Sequence, residues 1–381
     1  MSWAIWITGL PGNGKSVLAR ATAAELEAGG QPVVILELDA VRRVITPSPT
    51  YSDTEHDVVY RALVHMAAAV TESGTPVIID ATAHRRKCRE LARGLIPRFA
   101  EVQLVCPADE CQKRERERTD GNAPQQIYAR AGLPGACVAD VDVPYEPSAH
   151  AELTIDTQRD TPASAMAAIV ALARRLGTSS GRSGHVPYSG WAIWISGLPG
   201  SGKTTLARGV AKSLAARCVD VRLLEFAEMR RAVLADYPES DATRDIVHRA
   251  LAYTAKLLTD AGVAVIVDAT SPRRVWRELA RKLIIRFAEV ELVCAREICL
   301  ERDRATRWGL GPERLALGLP AMSEPPDIVM HYEPSPCPEL ILRTDAHESW
   351  GALEELLRLA LRLHRMAAVE AYGVSRLPHH D

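Results

Sequence analysis

Little in this sequence is aromatic, and nothing in it is long and apolar. Phe, Trp and Tyr together make up 5% of 381 residues, with three Phe in the whole chain. Proteins that hold single strands stack bases on rings set among basic residues, so a nucleic-acid partner is not expected here. The charge balance points the same way. Lys and Arg number 46 against 48 Asp and Glu, a formal net charge of −2, which leaves no overall basic field to recruit nucleic acid or an anionic membrane. Any anion site must therefore be local. No apolar run approaches the roughly 18 residues of a membrane span. The N-terminus enters WAIWI without the basic region and cleavage site of a leader peptide, so no membrane partner and a cytosolic location are expected. Also missing is any C-x-x-C pair among the eight Cys. Cys106/Cys111 and Cys294/Cys299 repeat one spacing, at a strand end and in the helix that follows. A zinc site would need closer pairs with companion histidines, so reduced, mostly buried thiols are expected.

What is present is one unit written twice. WAIWITGLPGNGKS (residues 3–16) returns as WAIWISGLPGSGKT (191–204), and RFAEVQLVC (98–106) returns as RFAEVELVC (286–294). The offset between Lys15 and Lys203 is also that between Asp80 and Asp268 and between Arg114 and Arg302. Tyr145-Glu146-Pro147 recurs as Tyr332-Glu333-Pro334, one residue out of step. Each copy is the length of a domain, far longer than a solenoid repeat. The expected organisation is a first domain over 1–176, a Gly/Ser-rich linker over 177–190 (GTSSGRSGHVPYSG), a second domain over 191–369 and a loose tail over 370–381.

Within each copy, short apolar runs alternate with longer amphipathic stretches. In the first, the strands expected are 3–8, 33–38, 77–80, 102–106 and 153–156. Helices are expected between them, as in KSVLARATAAELEA and DVVYRALVHMAAAVTES. Strands apolar throughout, rather than alternating, suit a parallel sheet covered on both faces. The fold class expected is α/β, two tandem doubly wound domains with ligands at the carboxyl ends of the strands.

Gly9 to Ser16 and Gly197 to Thr204 both fit G-x-x-x-x-G-K-[ST] between a strand and a helix. The glycines (Gly9, Gly12, Gly14; Gly197, Gly200, Gly202), with Asn13 and Ser201, let backbone N–H groups curl round a phosphate at a helix N-terminus. Lys15 and Lys203 are expected to reach the β- and γ-phosphates of ATP, and Ser16 and Thr204 to ligate Mg²⁺. Asp80 and Asp268 end the next strands, where a carboxylate can help hold the same ion. Neither copy carries the D-x-x-G or N-K-x-D motifs of regulatory GTPases. Each instead has an Arg-rich stretch, CQKRERERTD (Arg114, Arg116, Arg118) and CLERDRATRW (Arg302, Arg304, Arg307). In small-molecule kinases such stretches form lids, which makes Arg114 and Arg302 candidates to touch the transferring phosphoryl. On the acceptor side the first copy reads LELDAVRR, with Glu37, Asp39, Arg42 and Arg43, and the second LEFAEMRR. Glu225 and Arg230 persist, but Ala227 stands in place of Asp39, so the two sites need not do the same work.

At this point the chain resembles the adenylyl-sulfate kinases, P-loop enzymes that transfer the γ-phosphoryl of ATP to the 3′-hydroxyl of adenylyl sulfate. The resemblance rests on WITGLPGNGKS, on DAVR (39–42), on YSDTEHDVVYR (51–61), on CQKR (111–114), and on YARAG, VPYEP and ELTIDT. It implies that Asp39 is the base and that Arg42 contacts the substrate's sulfate or phosphate. The family sandwiches the substrate adenine between two rings. Tyr51 matches the first, with Glu239 there in the second copy, and the second ring's place holds Arg85 or Arg273. An arginine can stack on adenine. Arg86 and Arg274 stand beside these on the acceptor side. The family's Arg after the first ring is His56 in copy one and Arg244 in copy two. The resemblance implies a small-molecule hydroxyl substrate, adenylyl sulfate first, with ATP and Mg²⁺ and with self-association left open. The alternatives are a kinase of another small alcohol, and a nucleotide-binding tandem with one inactive domain.

Overall fold

The computed structural model describes residues 2–117, 127–132, 138–177, 190–235, 237–308, 331–345 and 349–372. Their first half forms a five-stranded sheet of β1 (Ala4–Thr8), β2 (Val34–Glu37), β3 (Val77–Asp80), β4 (Phe99–Val105) and β5 (Leu153–Asp156), in the order β2-β3-β1-β4-β5. Every pairing is parallel. Around it run α1 (Lys15–Ala28), α2 (Leu38–Ile45), α3 (Asp53–Glu72), α4 (Arg86–Leu95), α5 (Ala108–Glu117) and α6 (Pro162–Leu176). The second half repeats this with β6 (Ala192–Gly197), β7 (Val221–Glu225), β8 (Ala264–Asp268), β9 (Phe287–Val293) and β10 (Leu340–Arg343), ordered β7-β8-β6-β9-β10 and again parallel. Its helices are α7 (Lys203–Ala215), α8 (Phe226–Leu234), α9 (Asp241–Asp260), α10 (Arg274–Leu283), α11 (Arg296–Trp308) and α12 (Ser349–Tyr372). These are the two doubly wound α/β sheets expected.

The strands are apolar because both faces are covered. Ile5 and Ile7 point with Val102, Leu104 and Ile155 into a core closed by Leu18 and Leu26 of α1 and Ile169 and Val170 of α6. Trp6 faces the other way, fully buried, its Nε1 donating to Ala81 O at 2.9 Å and its ring stacked on Tyr60 at 6.4 Å. Helix α3 hides Val58, Leu63, Val64 and Met66 on this face, each side chain contributing about 1.5–3 kcal/mol by leaving water.

Two boundaries differ from expectation for identifiable reasons. Helix α3 starts at Asp53 rather than at 57, because the Ser52 hydroxyl accepts from Glu55 N at 3.2 Å and caps it. Strand β4 starts at Phe99 rather than at 102. Glu101 looks too polar for a strand covered on both faces, but it is 4% exposed and paired with Arg89 at 2.7 Å.

The chain divides into two compact units, one built on each sheet, and the segment Arg230–Ala250 is grouped with the first sheet. Gly177 closes α6, while most of the expected linker, 178–189, lies outside the described residues. Helix α12 runs on to Tyr372, past the expected domain end, and 373–381 lie outside the described residues. No helix among the described residues is long and apolar enough to cross a membrane. The seven described cysteines are free thiols, four of them buried and Cys218 and Cys337 exposed; Cys137 lies outside the described residues.

Candidate active site

In the first unit the loop after β1 is bent by necessity. Gly12 has φ +82, and a Cβ there would lie 2.1 Å from the Cys111 carbonyl oxygen of α5. Gly14, at φ +90, is the N-cap of α1 and brings no side chain to it, leaving the first N–H groups of the helix facing the loop. Lys15 arches back over this cradle, its Nζ donating to Gly9 O at 3.1 Å, Leu10 O at 2.9 Å and Asn13 Oδ1 at 3.4 Å. Asn13 is itself buried, its Nδ2 donating to Leu104 O at 3.3 Å. The second unit repeats the device. A Cβ on Gly200 would lie 2.1 Å from Cys299 O, and Lys203 Nζ donates to Gly197 O at 3.1 Å and Leu198 O at 2.8 Å. Ser201 lies in this loop fully buried, its carbonyl accepting from Thr344 Oγ1 at 2.8 Å.

Sheet register sets the neighbouring carboxylates. Asp80 pairs with Ile7 on one side and Glu37 on the other, so the ends of β1, β2 and β3 stand level. Asp80 is bonded by the Ser16 hydroxyl; burial raises its carboxyl above the ordinary range, with Lys15 and Ser16 pulling the other way. In the second unit Thr204 Oγ1 donates to Asp268 Oδ2 at 2.5 Å, and burial likewise raises Asp268 against Thr204 and Lys203. A hydroxyl and a carboxylate beside a phosphate cradle are hard oxygen donors, the set Mg²⁺ takes, so the residues present fit that ion.

On the acceptor side of the first unit, Asp39 sits half-buried in the first turn of α2, two residues beyond the Glu37 end of β2. Arg42 lies with its guanidinium carbon 5.7 Å from the Tyr51 ring centre and donates to Glu55 at 3.4 Å. Tyr51 is held at φ +53, an uncommon conformation for a side chain of its size. Arg85 crosses to α3, donating to Asp57 at 3.1 Å and also to Asp53. Glu37 faces α1, paired with Arg20 at 3.0 Å, as Glu225 is with Arg208 at 2.8 Å. Arg230 and Arg244, the counterparts of Arg42 and His56, both bind Glu239, at 3.0 and 2.8 Å.

Several arginines hold the fold together. Arg86 clasps Glu146 and Pro147, its backbone N donating to Glu146 at 2.6 Å and its Nε to Pro147 O at 3.2 Å; Arg274 holds Glu333 and Pro334 through its backbone N at 2.7 Å and its Nη2 at 3.2 Å. Arg114, expected over the phosphates, donates to Glu110 at 3.0 Å and to Thr157 Oγ1 and O, both at 3.1 Å. Arg302 donates to Thr344 O at 2.8 Å. Both tie a helix to the end of the edge strand. Of the other lid arginines, Arg118 and the side chains of Arg304 and Arg307 lie outside the described residues.

Three features escaped the sequence reading. Arg89 and Arg277, fully buried, pair with Glu101 and Glu289 at 2.7 Å and reach over Tyr145 and Tyr332. Their signal was available, since RELAR occurs at 89–93 and again at 277–281. The third is a pair of buried imidazoles, His56 and His84, with ring centres 4.7 Å apart. Nothing in local spacing joins residues so far apart in the chain.

The family model for adenylylsulphate kinase matches residues 1–156 and 189–312. A probable adenylyl-sulfate kinase of Archaeoglobus fulgidus is 34% identical over 166 residues, covering 42% of this chain and 99% of the relative. The adenylyl-sulfate kinase of Synechococcus sp. (strain JA-3-3Ab) is 33% identical over 175 residues, 46% of this chain and 96% of the relative. Among solved structures, the Mycobacterium tuberculosis APS kinase in complex with AMPPNP and APS aligns at 28% identity with a TM-score of 0.37, over 47% of this chain and 99% of that one. Each relative is about as long as one repeat, and the family model fits both repeats: the chain belongs to the adenylylsulphate kinase family.

Proposed function

We propose that the chain transfers the γ-phosphoryl of ATP to the 3′-hydroxyl of adenylyl sulfate, giving 3′-phosphoadenylyl sulfate and ADP, with the first unit as the site of transfer. The observation that carries this is the level alignment of three strand ends, which sets the Lys15 cradle, the Ser16–Asp80 pair and the α2 turn bearing Asp39 along one edge of the first sheet. Lys15 and the loop N–H groups bind the triphosphate and neutralise charge as it shifts toward the leaving oxygen. Ser16 and Asp80 would hold Mg²⁺, which would supply further charge neutralisation at the phosphates. Asp39 accepts the proton of the acceptor hydroxyl as its oxygen bonds to the γ-phosphorus and the bond to the ADP oxygen breaks. Arg42 binds the sulfate or α-phosphate of the acceptor, and Tyr51, already packed against Arg42, offers a face to its base.

The test is ADP release from the full chain with ATP, Mg²⁺ and adenylyl sulfate. The expected result is turnover that requires adenylyl sulfate and collapses in Lys15→Ala. Turnover driven by another alcohol and not by adenylyl sulfate would replace the substrate. That second reading draws on Arg85, which stands where a second ring would close on adenine and is engaged with Asp53 and Asp57. For the second repeat, Ala227 in place of Asp39 and Glu239 on both Arg230 and Arg244 favour nucleotide binding without transfer.

A further inference from the structure

What this fold needs for its stability, the two repeats share. The Arg89–Glu101 and Arg277–Glu289 pairs, the Arg86 and Arg274 clasps, the tyrosine hydroxyls on Thr8 and Ser196 and the lysine arches all come in matched sets. His56 and His84 do not. At the corresponding positions the second repeat has Arg244 and Pro272. The backbone leading to residue 84 is nonetheless the same in both, with Ala83 at φ +42 and its counterpart Ser271 at φ +43. The loop therefore presents the next residue in one way, and only the first repeat sets an imidazole there.

The pair carries an unmet demand. His56 is 8% exposed and His84 5%, yet His56 Nδ1 and His84 Nε2 are buried with no hydrogen-bond partner. The nearest carboxylate oxygen to His56 Nδ1, on Asp57, lies 3.6 Å away, outside hydrogen-bond reach, and that carboxylate is already bonded by Arg85 and Lys87. Each orphaned polar group costs about 1–3 kcal/mol, and folded proteins rarely leave two together without a use for them. The rings are placed for one. His84 follows the carboxyl end of β3, four residues after Asp80, and His56 feels the charges of Arg42 and Arg85. Both histidines are neutral: burial takes His56 down to about 3, helped by His84 and the two arginines, and burial with Arg85 lowers His84.

We propose that His56 and His84 are an acceptor-recognition pair of the first unit, two uncharged ring nitrogens that hydrogen-bond an uncharged polar group of the molecule receiving the phosphoryl, a hydroxyl or a heterocyclic nitrogen. This rests on the first unit being the site of transfer. An arginine in the same place, as in the second repeat, asks for an anion; a neutral imidazole does not. The pair thus makes the first site selective for the uncharged part of its acceptor, leaving Arg42 for the charged part.

The test is steady-state ADP release by the full chain, with variants that separate ring from nitrogen. His56→Phe and His84→Phe keep an aromatic ring and lose the nitrogens. His56→Asn and His84→Gln keep a polar nitrogen or oxygen near the orphaned atom. The expected result is an acceptor KM raised about tenfold or more in the Phe variants, with the ATP KM unchanged, and an acceptor KM within about threefold of wild type in the amide variants. Phe variants with a wild-type acceptor KM, or with ATP and acceptor KM rising together, would overturn the proposal and leave the pair a packing feature. If adenylyl sulfate does not drive ADP release but another nucleotide or sugar alcohol does, the substrate reading falls. The same contrast measured on that alcohol then decides the pair.

Discussion

At the scale of single residues, charge and burial decide what each group can do. In the second repeat Ala227 stands at the position of Asp39, with Glu228 one residue later, so Asp39→Asn tests the role of base in the first. The expected outcome is a kcat about 10²–10⁴ lower with AMPPNP affinity by calorimetry unchanged; equal losses in both would make it a binding group. His56 gives a pH dependence with a definite sign. The unfolded chain protonates this ring below its ordinary pKa of 6.5, while the folded chain refuses the proton down to about 3. Stability is therefore full above pH 6.5 and falls as the pH drops toward 3, by about 2 kcal/mol at pH 5 from this group alone. Denaturant unfolding at pH 7 and pH 5 should show the loss, and His56→Asn should shrink it. The cradle was legible in the sequence because each of its residue types is demanded by the phosphate and the spacing is local. The threonine contacts of Arg114 and Arg302 were not, because a charged residue in a helix gives no sign of which strand end it reaches.

At the scale of elements, helix α5 and the loop after β1 are locked together through a missing side chain. Gly12→Ala would need φ +82 with a Cβ at 2.1 Å from a backbone oxygen that α5 cannot easily withdraw. The expected result is AMPPNP affinity in the first unit lowered at least about tenfold, with the circular dichroism spectrum retained. Helix α4 is pinned to β4 by Arg89 on Glu101, at 0% and 5% side-chain exposure. Arg89→Met strands a buried carboxylate and should cost about 3–5 kcal/mol, read as a lower melting temperature, and adding Glu101→Gln should recover much of it. Element identity was open to sequence reasoning because strands covered on both faces are apolar throughout. Where that pattern is interrupted by a satisfied charge, as at Glu101, the boundary slips, since the partner that makes the charge tolerable lies on another element. Ser52 moves the start of α3 by the same kind of short-range detail, visible only once the hydroxyl is seen on Glu55 N.

For the whole molecule, duplication was the plainest signal in the sequence, and it bears directly on how many sites work. Two cradles with the same arched lysine support two nucleotides per chain, so calorimetry with AMPPNP and Mg²⁺ should give two equivalents, one of them lost in Lys15→Ala. Two acceptor sides do not follow from two cradles. The repeat boundary and the compact-unit boundary disagree over Arg230–Ala250, which the periodicity of the sequence assigns to the second copy and the packing groups with the first sheet. Within that stretch Glu239 takes both Arg230 and Arg244, while in copy one Tyr51 lies against Arg42 and burial keeps His56 uncharged. An anionic acceptor that displaced Glu239 would leave that carboxylate without its two arginines, whereas in the first copy it would compete with Glu55 for Arg42 alone, a pair at 3.4 Å. Lys15→Ala in the full chain therefore reports on the second repeat alone. ADP release near background, with one equivalent of AMPPNP still bound, is the expected outcome; a Lys15→Ala chain that kept half of the wild-type rate would mean that a site without Asp39 and with Glu239 on its arginines can still transfer phosphoryl.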